Sequence, residues 1–173
     1  MRSARSSVAE NIGYGSDIRG VKGSDRDTRV QNLVRLVRLQ GFEESFPHEL
    51  SGGMRQRVAL ARALADEPRV LLMDEPLGAP DPPTRRLMQN EILRVWRETR
   101  GAVVLVTHDV GESVLLAERV IFLSPRHASI TTDMPIDPPR PRHSGDPAVM
   151  ALKEELLDLL DSNFAGEQDL EEI

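Results

Sequence analysis

Two stretches of this chain carry residue types and spacings that suit phosphate chemistry. The first is Ser51-Gly52-Gly53, which opens a helical pattern. Ser51 is a good helix N-cap, and two glycines let the backbone come close to a ligand. Free N–H groups at such a helix start, with the positive end of the dipole behind them, make an anion site. The second is Val70-Leu71-Leu72-Met73 running into Asp74-Glu75-Pro76. A short apolar run without polar alternation predicts a strand buried on both faces of a parallel sheet. Two carboxylates at its carboxyl end lie where open α/β sheets bind ligands. One can hold Mg²⁺, and the other can orient or deprotonate a water.

The elements that must position these groups follow from punctuation and periodicity. Residues 1–7 are basic and Ser-rich and read as a frayed start. Gly13, Gly15, Gly20 and Gly23 give Asn11 to Gly23 turn chemistry. Ser24 is expected to cap a helix, with Asp27 as a weak capping box and Val30, Leu33, Val34 and Val37 as its apolar stripe. Gly41 ends that element, and His48 in Pro47-His48-Glu49 reads as a loop residue, since no second His lies at ligand spacing.

A helix is expected from Ser51 to Ala65, with Met54, Val58, Ala61 and Ala65 inward and Arg55, Arg57 and Arg62 on its polar face. Pro68 then breaks the chain before the strand at Val70. A further helix over Thr84–Thr99 turns Met88, Ile92, Val95 and Trp96 to one side, and the lone Trp reads as packing. Ala102–Val106 is a second buried strand with Thr107-His108-Asp109 at its tip. A short helix over Val110–Glu118, a strand over Arg119–Leu123 and a short strand over Ser129–Thr132 follow. Residues 135–147 hold Pro135, Pro138, Pro139, Pro141 and Pro147 and read as an extended linker. Val149, Leu152, Leu156 and Leu159 or Leu160 mark a terminal amphipathic helix over 148–160, and the acidic residues 161–173 read as a frayed tail.

With 173 residues the chain has the length of one domain. A net charge of −6 gives no general electrostatic case for nucleic-acid binding. The sequence has no cysteine, so disulfides and cysteine metal sites are excluded. No apolar run approaches the ~20 residues of a membrane helix. The opening M-R-S-A-R-S-S-V-A-E-N lacks the apolar stretch of a secretory signal.

Three strings in this order resemble the ATPases of ABC transporters. L-S-G-G-M-R-Q-R at Leu50–Arg57 is similar to their signature motif, V-L-L-M-D-E-P at Val70–Pro76 to their Walker B strand, and V-T-H-D at Val106–Asp109 to their switch histidine. The resemblance covers residues 8–160. It implies an α/β fold, a partial P-loop NTPase with parallel strands flanked by helices. Residues 8–50 would form the helical subdomain, and 51–134 the signature helix with the Walker B and switch-His core.

The resemblance also implies ATP and Mg²⁺ as ligands. Ser51, Gly52, Gly53 and Gln56 would bind nucleotide, with Asp81 in the D-loop. Asp74 would hold Mg²⁺ through water, Glu75 would be the catalytic carboxylate, and His108 would contact the γ-phosphate. The expected partners are a second ATPase domain arranged head to tail, membrane permease subunits and, indirectly, a substrate-binding protein, with no nucleic acid. The expected place is the cytoplasmic face of the membrane, peripherally.

The string D-M-P-I-D-P-P-R-P-R at Asp133–Arg142 resembles the tail of importer ATPases for nitrate, sulfonate, taurine and bicarbonate. The sequence departs from the family in two places. Ala79-Pro80-Asp81 stands where Ala-Leu-Asp is usual, which puts the D-loop's coupling role in question. No G-x-x-x-x-G-K-[S/T] is present, and Lys22 in R-G-V-K-G lacks that spacing. The resemblance therefore implies no hydrolysis by two copies of this chain alone. A complete partner would supply a P-loop against Ser51–Gly53. Two other classes fit the motifs: a non-transport ABC-type ATPase, and a non-catalytic module that only docks a partner.

Overall fold

The computed structural model describes residues 6–78, 82–124 and 129–168. The chain divides into two compact units, 1–106 and 107–173.

The first unit opens with helix α1 (Val8–Ile18). Ser7 caps it: the Ser7 Oγ accepts the Glu10 N–H at 3.3 Å, and the Glu10 carboxylate accepts the Ser7 N–H at 2.8 Å. Residues 1–5, most of the expected frayed start, lie outside the described residues. The turn expected from Asn11 is instead helical as far as Ile18. Gly13 and Gly15 are there for contact rather than for bending. A Cβ on Gly15 would stand 2.7 Å from the Asp66 Oδ1, and one on Gly13 would collide with the Arg26 guanidinium. Only Gly20 and Gly23 take the left-handed backbone of a true turn.

Helix α2 (Ser24–Leu36) is capped by Gly23 rather than by Ser24, which is its first helical residue; the cap makes no side-chain hydrogen bond. A one-turn 3₁₀ segment at Pro47–Glu49 leads to α3 (Gly52–Leu64). Val8 and Ile12 of α1, Val30 and Val34 of α2, and Val58 and Ala61 of α3 close one core with Val37, Leu39 and Leu50.

Strands β1 (Val70–Asp74) and β2 (Ala102–Val106) pair in parallel, with Val70 opposite Ala102 and Asp74 opposite Val106. Helix α4 (Pro82–Thr99) connects them. Leu71 joins Leu60, Leu64 and Val95 in a second small core. A cavity of about 360 Å³ beside it is lined by Leu64, Leu71, Val95, Trp96 and Val103.

The expectation that β1 is buried on both faces does not hold. Val70 is 58% exposed and Leu72 67%, and Val104 and Val106 stand beside them at 49% each. Among the described residues the sheet has two strands and helical cover on one face only, so the alternation of a strand sends every second apolar residue to solvent.

The second unit begins with α5 (Val110–Leu116). Strand β3 (Arg119–Leu123) pairs antiparallel with β4 (Ile130–Pro135), which is longer than the strand expected at Ser129–Thr132. Helix α6 runs from Pro147 to Gln168, past the expected end at 160. Val110 and Val114 of α5, Val120 of β3, Ile136, and Val149 and Leu156 of α6 form its core. Within the proline-rich stretch, Ile136 and Arg142 are buried. The Arg142 guanidinium donates to the carbonyls of Val114 and Ile136 at 2.9 Å each, and also to those of Ala117 and Pro138.

Candidate functional site

In the first unit the Ser51 helix start is open to solvent, with Ser51 and Gly52 exposed and Gly53 half-buried. Ser51 has the extended backbone of an N-cap, and its Oγ accepts the Met54 N–H at 3.2 Å. The Gly52 and Gly53 amides head the helix, where no intrahelical carbonyl can reach them. They are left to face whatever approaches. A Cβ on Gly53 would meet the Thr84 methyl of α4 at 3.5 Å, an ordinary contact.

The acidic turn lies close by in the same unit. The Gln56 side-chain amide donates to the Pro76 carbonyl at 3.0 Å, tying α3 to the residues that follow β1. Gln56, expected to bind nucleotide, thus has its nitrogen engaged inside the chain, and its Oε1 is buried without a hydrogen-bond partner among the described residues. Asp74 ends β1, and both Asp74 and Glu75 are exposed. The Glu75 N–H donates to the Val106 carbonyl at 2.9 Å, which extends the β1–β2 ladder by one bond. Glu75 then takes φ = +42°, a left-handed conformation that costs a side-chain-bearing residue energy. Strain of this kind collects where the direction of a side chain matters to function. Asp81 lies outside the described residues.

His108 is exposed and opens the second unit. A ring of hydrogen bonds holds the turn that carries it. The Thr107 hydroxyl donates to the Glu112 Oε2 at 3.0 Å and accepts the Asp109 N–H at 3.0 Å. The Asp109 Oδ1 accepts the Glu112 N–H at 3.1 Å, as an N-cap should. Glu112 is 4% exposed.

Thr107 and Asp109 stand in the V-T-H-D string without a role of their own there, and Glu112 lies outside it; the structure makes all three supports of the turn. Asp109 followed three residues later by Glu112 is a capping-box spacing, so two of the three were findable. Arg142 was not, since nothing in its neighbours marks one arginine of Arg140-Pro141-Arg142 for burial. Burial pulls the Arg142 guanidinium below its ordinary value, and the charge of nearby Arg140 adds to the effect.

Among the described residues no three His, Asp or Glu side chains converge as a metal cage. Mg²⁺ does not need one, because it binds through one or two carboxylates together with waters and phosphate oxygens. An exposed Asp74 at a strand end fits that mode. No described helix is long and apolar enough to cross a membrane.

Residues 2–78 match the family model described as ABC transporter. Over that stretch the chain is similar to the ABC transporter family. It is 39% identical over 153 residues to an uncharacterized ABC transporter ATP-binding protein of Methanocaldococcus jannaschii, covering 88% of this chain and 57% of that protein. It is 50% identical over 124 residues to a taurine import ATP-binding protein of Roseobacter denitrificans, covering 72% and 46%. It is 45% identical over 129 residues to an aliphatic sulfonates import ATP-binding protein of Bacillus licheniformis, covering 75% and 51%. The chain thus spans about half the length of the relatives it matches. The mixed α/β architecture, with parallel strands joined through a helix, is that of a partial ABC ATPase.

Proposed function

We propose that this chain is part of the ATP-binding subunit of an importer for small sulfonate-like anions such as taurine, working at the cytoplasmic face of the membrane with permease subunits and, indirectly, a substrate-binding protein. The names of the taurine and aliphatic-sulfonate relatives support the substrate class. The observation that carries the reading is the open helix start at Ser51–Gly53, whose unclaimed amides suit the terminal phosphate of a nucleotide held by a second ATPase domain.

In this scheme Ser51, Gly52 and Gly53 touch that phosphate directly. Gln56 acts from behind them by fastening α3 to the acidic turn. Asp81 belongs to the segment facing the partner. Asp74 holds Mg²⁺ through water, and Mg²⁺ when bound neutralises phosphate charge. Glu75, fixed by its backbone at the end of β1, orients and deprotonates the attacking water. His108, steadied by Thr107, Asp109 and Glu112, contacts the γ-phosphate. These last three roles need a P-loop on this chain's own side. No P-loop stands in this sequence to seat a nucleotide there, so Glu75 and His108 stay idle when this chain pairs with a second domain. The Ser51 group serves the nucleotide of the partner domain.

The test is a heterodimer of this chain with a complete ATPase partner. Ser51→Arg should abolish the ATP turnover that remains, and Glu75→Gln should leave it. Loss of turnover on Glu75→Gln would sink the scheme.

A further inference from the structure

Helix α5 has seven residues. A helix this short cannot sustain itself in water, because more than half of its backbone groups fall within the four orphan N–H and four orphan C=O positions of its ends. Its partners outside the helix therefore decide whether it exists and where its first turn points. At the N-terminal end the partner is local, namely Asp109 with Thr107 and Glu112. At the other end Ala117 returns its N–H to the Ser113 carbonyl at 2.9 Å. The Val114 and Ala117 carbonyls go to Arg142, 28 and 25 residues away in sequence.

Arg142 does more than cap a helix. The same guanidinium donates to Ile136 and Pro138 on the segment that follows β4. Arg142 is 8% exposed, yet no acidic group is bonded to it among these contacts; its four acceptors are all carbonyls. A planar fork of donors can meet carbonyls in several directions at once, which a lysine ammonium cannot match. A cation at a helix C-terminus also opposes the negative end of the dipole.

We propose that Arg142 is a positioning residue for His108: its buried guanidinium ties the proline-rich tail to the C-terminal end of α5 and so fixes the turn that presents the histidine. The length of α5, about 10 Å at 1.5 Å per residue, is short enough to act as one rigid piece. Freeing one end lets the other swing. The value of this to catalysis rests on the role given to His108 above, but the geometry does not.

The test is amide hydrogen exchange on the nucleotide-free full chain, so that it reads the geometry whatever the fate of the ATPase assignment. Arg142→Gln and Arg142→Lys are compared with Arg119→Ala, which removes an exposed arginine of the same unit. Protection should fall by about tenfold or more at residues 108–117 in both Arg142 variants, and stay unchanged at 149–156 and in Arg119→Ala. Arg142→Ala with added methylguanidinium should recover protection at 108–117, while methylammonium should not restore it. Unchanged protection at 108–112 in Arg142→Lys and Arg142→Gln overturns the proposal. So does a uniform loss across both α5 and α6 in Arg142→Lys, since Arg142 would then be an ordinary core residue.

Discussion

Glu75 gives the sharpest test of how the acidic turn is built. Its φ of +42° puts a Cβ where only glycine sits comfortably. The penalty for a side-chain-bearing residue there is roughly 1–2 kcal/mol. Glycine carries a cost of its own, roughly 0.5–1 kcal/mol relative to alanine, because its unfolded chain is freer. Comparing Glu75→Gly with Glu75→Ala removes the carboxylate from both, so any contact of the side chain cancels and only the backbone term remains. At an ordinary position alanine would be the more stable. Here the sign should reverse, with glycine ahead by about 1 kcal/mol, which is about 2–4 °C in Tm for a chain of this size. Thermal unfolding followed by circular dichroism, supported by urea midpoints, measures the difference. An alanine variant as stable as the glycine variant, or more so, would show that Glu75 is not held in the left-handed region, and the directed-carboxylate argument would fail with it.

The two faces of β1 give a second contrast. Leu71 is 9% exposed and Leu72 67%. Leu71→Ala should cost about 2–5 kcal/mol, and Leu72→Ala should fall within about 0.5 kcal/mol of the parent by chemical denaturation. Equal losses would mean that the Leu72 face is covered in solution, and the stability should then depend on protein concentration. A third concerns pH. The Arg119 guanidinium bonded to Asp133 holds that carboxyl below its usual range. The pair's contribution is therefore present above the ordinary aspartate value of about 3.9 and fades as pH falls through the lower folded value. Carboxyl carbon NMR should place the Asp133 midpoint below that of free aspartate, and Arg119→Ala should bring it back. No return would show that something other than Arg119 sets it.

Much of the site was legible in the chain itself. Ser51-Gly52-Gly53 announces a capped, open helix start because an N-cap hydroxyl and small residues are local devices, readable within four positions. Val70–Met73 followed by two carboxylates announces a strand with acids at its end for the same reason. The helical run of α1 was missed because its glycines looked like turn signals. What they answer to are Arg26 and Asp66, which are distant in sequence. The exposure of Leu72 was missed because a run of apolar residues records what each strand could bury, not how many layers stand over it.

The sequence by itself determined the local chemistry: which residues can cap, carry charge or end a strand, and in what order they come. Tertiary structure alone decided that Gln56 spends its amide on Pro76, that Glu75 is bent into a left-handed turn, and that Arg142 is drawn inside to hold α5. The reason is physical. Caps and periodicities involve groups a few bonds apart, whereas a buried amide or guanidinium takes its value from carbonyls brought to it only when the chain has folded.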